Sequence, residues 1–184
     1  FLSIMKCRYI FIILSILALF SCKKAQLDLT YAAQEQKIDN YVKAQIEKDP
    51  SYTVSYYEGT TRLCTVAGEG EELKPGGTVS FFYSAYAFTG STPSTTNLIA
   101  TNDTLVAKQA GFILDEAQKK IITTDIPNKD FIKGLSSGLV GVQANGEYEI
   151  MFSGRLGYGN MKYGTVPVNS AMMYKVKIGG VSNK

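Results

Sequence analysis

The side chains able to do chemistry in this 184-residue sequence are 16 carboxylates, 12 tyrosines and 3 cysteines, and histidine is absent altogether. Without histidine, Ser-His-Asp and Cys-His catalysis, an imidazole general base and any His-containing zinc site are excluded. The carboxylates show no pairing from which a glycosidase-like acid and base could be argued. No phosphate-binding Gly-x-x-x-x-Gly-Lys occurs. Gly157-Tyr158-Gly159 follows a strand-like segment with no helix behind it, so it reads as a turn, not a nucleotide cradle. Asn102-Asp103-Thr104 matches a glycosylation sequon, a pattern of low specificity. Neither a metal nor a cofactor is expected, and no CxxC redox pair is present. The formal charge is +3 with the positive residues scattered, so no nucleic-acid footprint is visible. What remains is a chain rich in aromatics, with 12 Tyr and 9 Phe but no Trp.

Of the cysteines, Cys22 draws meaning from what precedes it. Tyr9 to Phe20 is apolar except for Ser15 and sits behind Lys6 and Arg8, the layout of a secretory signal. The run is shorter than the roughly 20 residues a spanning helix needs. Met5 is expected to be the start, with residues 1–4 an upstream extension. Leu19-Phe20-Ser21-Cys22 resembles the lipobox of bacterial lipoproteins, although Phe20 is bulkier than the usual occupant. The resemblance implies a signal peptide over 1–21, cleavage before Cys22, a thioether-linked diacylglycerol on its sulfur and an acyl chain such as palmitate on its nitrogen. Such chains, at about 0.8 kcal/mol per buried methylene, anchor a protein to a membrane. The expected location is the bacterial cell envelope, at the outer membrane facing the periplasm. An ordinary signal with a chance cysteine is the alternative. Cys7 would leave with the signal, so Cys64 stands alone, no disulfide forms, and Cys64 is expected to be a small buried hydrophobe.

The elements that must position any site follow from the pattern of apolar residues. Residues 22–50 form a tether and then a helix over Tyr31 to Lys48. Thr30 is its N-cap, Ile38, Tyr41, Val42 and Ile46 its stripe, and Asp49-Pro50 its stop. That stripe could cover its own domain, a second copy or a partner. Over 51–184 strands prevail: Thr53 to Tyr57 and Thr61 to Val66 joined through Glu58-Gly59-Thr60, then Thr78 to Phe88, apolar on both faces and hence mid-sheet. Tyr148, Ile150 and Phe152, and later Met172, Tyr174, Val176 and Ile178, alternate with polar residues. Ile132, Leu135, Leu139 and Val142 fall at helical spacing, against the cost of Gly138 and Gly141, about 1 kcal/mol each. The predicted class is α+β, an antiparallel sheet with one short central helix. In the Thr101 to Asp130 insert, Gly111 to Leu114 and Lys120 to Thr123 suggest a small hairpin. The insert is either a seat of substrate selection or a solvated loop.

An ordered set of motifs carries a second resemblance. Phe131-Ile132-Lys133-Gly134-Leu135, Gly138-Leu139, Gly146-Glu147, Leu156-Gly157-Tyr158-Gly159 and Val166-Pro167-Val168-Asn169-Ser170-Ala171-Met172-Met173-Tyr174-Lys175-Val176 look like the FKBP-type peptidyl-prolyl cis-trans isomerases. Gly77 to Ser84 resembles that family's first cleft strand, and the likeness covers Gly76 to Ile178. It implies an antiparallel sheet wrapped on a short helix, preceded here by the N-terminal helix, and a proline-binding cleft. In that cleft Tyr83 and Tyr174 are aromatic walls, the Ile132 N–H bonds the ligand and Tyr158 donates its hydroxyl. Phe131 replaces an aliphatic wall residue and Leu135 the usual tryptophan floor. The family's Phe-Asp pair falls on Ile99-Ala100, and a further cleft aromatic near Ile122. For Tyr83, Tyr158 and Tyr174 the plainer reading is a core tyrosine whose hydroxyl finds a partner. The implied function is prolyl isomerisation during folding of exported proteins, acting on proline-containing polypeptides. The alternative is a weak or inactive module that binds a protein partner through its cleft or N-terminal helix.

Overall fold

The computed structural model describes residues 24–184 with their side chains, so the signal-peptide and Cys22 readings lie outside the described residues. Helix α1 (Leu2–Lys48) leads into strands β1 (Thr53–Tyr57), β2 (Thr60–Val66) and β3 (Thr78–Ala87). After a single 3-10 turn (Thr95–Asn97) come β4 (Leu98–Thr101), α2 (Thr104–Ala110), β5 (Ile122–Asp125), α3 (Lys133–Leu139), β6 (Glu147–Phe152) and β7 (Met172–Ser182). The sheet is antiparallel throughout, in the order β1-β2-β6-β7-β3-β4. Strand β3 is central, as its two apolar faces predict: β7 runs along one side, while β4 and β5 share the other, pairing with Ser84–Tyr86 and Thr78–Phe81. The β1–β2 hairpin turns through Glu58 (φ 46°) and Gly59 (φ 79°), two successive left-handed residues whose twist suits adjoining strands.

Alternation gives the sheet two faces. Val79, Phe81, Tyr148, Ile150, Phe152, Met172, Tyr174 and Val176 point to the front, where α3 lies and the main core forms. The helix can approach because Gly134 and Gly138 carry no side chain. A Cβ on Gly134 would overlap the Phe152 ring, and one on Gly138 would overlap Ile150 and sit 2.9 Å from Thr60 Cγ2. The glycine that weakens the helix in isolation is thus required by its packing. The helix stops at Leu139, short of Val142, because Val140 is extended and Gly141 takes φ 87°. Arg62 donates to the Gly138 carbonyl at 3.3 Å and also to that of Val140, closing the helix end.

The back face takes α1. Ile38, Tyr41 and Val42 are at most 5% exposed, packed with Leu63, Phe88, Met151, Ala171 and Met173. At about 1.5–3 kcal/mol for each fully buried side chain, the stripe is a sufficient reason for the helix to lie on its own domain. The Tyr41 hydroxyl donates to Glu149 Oε2 at 2.9 Å, and Lys175 Nζ reaches Glu149 Oε1 at 2.7 Å, so the buried carboxylate is doubly partnered. Burial, then the neighbouring Glu149 charge, pushes the Tyr41 hydroxyl far above its ordinary value. Thr30 is not an N-cap: the helix is already under way, and its hydroxyl donates to the Gln26 carbonyl one turn back. The helix does end at Lys48, before Asp49-Pro50. Cys64 is free and half-buried, against the expectation of a buried residue, because β2 carries it at the margin of the core.

Between β4 and β5 the expected hairpin does not form. Asp103 caps α2, accepting from the backbone of Leu105 at 2.9 Å and Val106 at 3.3 Å, and Gly111 ends it at φ 72°. Lys120 to Thr123 leads instead into β5, which pairs with β3. Asn102, expected only as a sequon residue, is 3% exposed. Its Oδ1 accepts from the Tyr83 N–H at 2.6 Å and its Nδ2 donates to the Lys120 carbonyl at 2.9 Å. One side chain therefore ties both the start of the insert and Lys120 to the central strand, and its burial leaves no room for a glycan.

Candidate functional site

Above α3 the front face opens into a cleft of about 200 Å³ lined by Phe81, Tyr83, Ile122, Asp130, Phe131, Ile132, Leu135, Tyr158, Tyr163 and Tyr174. Strands β3 and β7 supply the walls. The Tyr83 and Tyr174 rings lie 6.1 Å apart, Tyr174 stacks on Phe152 at 6.0 Å, and Phe131 meets Phe81 edge-on at 6.0 Å. Leu135, on the buried face of α3, forms the floor and is 6% exposed. Ile132 precedes the first helical residue, and its N–H meets no acceptor among the described residues, so a donor stands open at the cleft.

Tyr158 comes from the turn after β6. That turn is folded by Leu156 N–H donating to Ser153 O at 3.0 Å, Met161 N–H to Tyr158 O at 3.0 Å and Asn169 N–H to Gly159 O at 2.6 Å. Val166, 1% exposed, pins it into the core. From the back face α1 braces its base: Gln34 Oε1 accepts from Gly154 N–H at 2.8 Å, Gln34 Nε2 donates to Asn169 O at 2.7 Å, and the Tyr31 hydroxyl donates to Asn169 Oδ1 at 2.9 Å. The Gly134 N–H donates to the Leu156 carbonyl at 2.9 Å, tying the turn to α3 as well.

Seven of the eight residues predicted to line a cleft converge: Tyr83, Ile122, Phe131, Ile132, Leu135, Tyr158 and Tyr174. Ile99 does not join them. It lies in an adjoining groove with Ala100 and Phe112, and this groove shares Tyr83 and Ile122 with the cleft. Tyr163 was missed by sequence reasoning. Its ring stacks on Tyr158 at 4.5 Å with 4° between planes, yet it sits in an irregular turn where no periodicity marks it. The phenols share an environment. Burial, more than any neighbour, raises Tyr83, Tyr158 and Tyr174 above the ordinary tyrosine value, and Tyr174 is further raised by the facing Tyr158 hydroxyl. All three stay protonated as donors at neutral pH. No group of three or more potential metal ligands exists among the described residues. The cleft can therefore hold a small apolar ring over Leu135 and donate hydrogen bonds at its rim.

The family model of the FKBP-type peptidyl-prolyl cis-trans isomerases matches residues 70–179. Among solved structures, FkpA from Escherichia coli superposes with a TM-score of 0.53 at 19% identity, covering 92% of this chain and 71% of that one. The three FKBP domains of wheat FKBP73 give 0.57 at 14%, covering 72% and 52%. The N-terminal domain of FKBP42 from Arabidopsis thaliana gives 0.53 at 15%, covering 71% and 93%. At these identities the likeness is one of fold. No curated protein matches the sequence significantly.

Proposed function

The chain belongs to the FKBP-type peptidyl-prolyl cis-trans isomerase family, and we propose that it uses the Tyr83–Tyr174 cleft to catalyse X-Pro isomerisation in exported proteins at the cell envelope. Isomerisation breaks no covalent bond. Its barrier, about 18–20 kcal/mol, is the loss of amide resonance on twisting. The planar amide has the more polarised carbonyl and is better solvated by water than the twisted form, so moving it from water onto aromatic and aliphatic walls favours the transition state. Leu135 receives the proline ring, Tyr83, Tyr174 and Phe131 enclose it, and the Ile132 N–H and Tyr158 hydroxyl hold carbonyls on either side of the twisting bond. The observation carrying this reading is the unpartnered Ile132 N–H beside an apolar floor within one cleft. NMR exchange spectroscopy on an X-Pro peptide tests it: the full chain is expected to accelerate exchange in proportion to its concentration, and unchanged rates at high concentration would falsify it.

The envelope setting and membrane anchorage rest on the apolar run and Leu19-Phe20-Ser21-Cys22, from which lipid on Cys22 is proposed. Labelled palmitate should enter the wild-type protein and not a Cys22→Ser variant expressed in a bacterium.

A further inference from the structure

The segment after α2 leaves apolar side chains in water without a structural reason: Ile113 is 97% exposed and Phe112 38%, beside Leu114. They border a groove of about 570 Å³ on the outer edge of the sheet, whose inner wall is Ile99, Tyr83 and Ile122. Two of these also line the cleft, so the groove and the cleft adjoin across Tyr83 and Ile122. Volume distinguishes them. The cleft, at about 200 Å³, lies below the roughly 300–1,000 Å³ of typical ligand pockets, whereas the groove falls well within that range. The groove wall is also built. Asn102 ties the start of the insert to Lys120, and Asp115 and Gln118 bond each other reciprocally, backbone to side chain, at 3.0 and 2.8 Å.

We propose that this groove is an extension of the cleft that takes an apolar side chain of the same polypeptide, a few residues from the proline being isomerised. The proposal deepens the cleft reading above and rests on it. Adjacency selects this occupant: an extended segment seated at Leu135 and leaving past Tyr83 and Ile122 would next meet Ile99 and Phe112. The added requirement is a large aliphatic or aromatic residue a few positions away from the X-Pro bond, beyond the residues that flank it.

The test compares a short X-Pro peptide with a longer one carrying phenylalanine at varied distances from the proline, using the full chain. For the wild type, kcat/KM for the best long peptide should exceed that for the short one about tenfold, the discrimination of a modest apolar subsite. In the Ile113→Ser, Phe112→Ser double variant, that ratio should fall to near one. A ratio unaltered by the variant, or equal rates on both peptides in the wild type, overturns the proposal. If neither peptide is isomerised, the catalytic reading falls, and the groove is judged separately by fluorescence anisotropy of the labelled long peptide. Equal Kd for wild type and variant would then overturn it. Because the chain lacks tryptophan, Ile113→Trp supplies a single indole that can be excited at wavelengths its 12 tyrosines do not absorb. A blue shift that saturates with the long peptide supports the proposal. A shift only with phosphatidylglycerol vesicles, or only with rising protein concentration, overturns it in favour of a lipid surface or a second copy.

Discussion

The two faces of one sheet have been finished differently. On the back, α1 buries its stripe against Leu63, Met151 and Met173, and the charge it covers, Glu149, receives both a phenol and an ammonium. On the front, α3 covers only part of the apolar surface. Tyr83, Tyr158, Phe131 and Ile132 are left half-buried, with one backbone donor open. Strand β3 and the residue after it serve both, sending Phe81 and Tyr83 forward and Phe88 back. A face completed by its own chain gives stability; a face left incomplete is where another molecule's groups can finish the packing. The faces are nonetheless joined, because Tyr31 and Gln34 on α1 grip the turn that carries Tyr158.

The largest effect expected is on the support of the front face. Gly138→Ala forces a Cβ into Ile150, and equilibrium denaturation should show a loss of about 3 kcal/mol, the upper range for overpacking. On the back face, Ile38→Ala should cost about 2–3 kcal/mol by the same measurement while kcat/KM of the folded protein stays within twofold. An equal fall in activity would dissolve the contrast between the faces. Tyr158→Phe is the mirror case: the X-Pro exchange rate should fall about fivefold, the worth of one hydrogen bond of about 1 kcal/mol, with stability scarcely changed.

Two smaller effects involve protons. Since the sequence has no histidine and the cleft phenols are raised above their ordinary value of 10.0, kcat/KM should be flat from about pH 6 to about 9. A bell-shaped profile would mean that protons move in the reaction. The smallest concerns Asp103. Partial burial pushes its carboxyl up, but the Lys177 bond at 3.0 Å and the two capping N–H groups outweigh this, and the net shift is downward. A lowered folded pKa contributes stability that is complete above the unfolded value near 3.8 and drains away as pH falls through the folded value. Asp103→Asn should therefore cost about 0.5–1 kcal/mol at neutral pH, and the difference from wild type should vanish in acid.

Much of the front face was legible because it is written in side chains. Tyr148, Ile150 and Phe152 alternate, Gly134 and Leu135 sit at motif positions, and the Gly76 to Ile178 likeness orders them. Strand β5 was legible only in its first half, where Lys120 to Thr123 suggests a hairpin arm; its partner was not, because it is chosen by backbone pairing to a strand far back in the chain. Helix α2 did leave a signal, Asp103 before it and Gly111 after it, which the hairpin reading passed over. The stripe on α1 predicted that something would cover it but not what, since amphipathicity has no address. Tyr163 reaches the cleft only through the path of an irregular turn, and no local pattern encodes that path.

The Asn102 amide makes the insert a modular part. Because Asn102 and Lys120 meet beside Tyr83, whatever lies between them closes a loop whose entropic cost grows slowly with length, about 0.6 kcal/mol for each doubling. Exchange of the sequence beyond Asp103 is expected to act like a change of jaws on a common handle, with β3, β4 and β5 kept in register by their own pairing. A graft of a shorter or longer segment between Asn102 and Lys120 is thus a route to retuning this scaffold without redesigning its core.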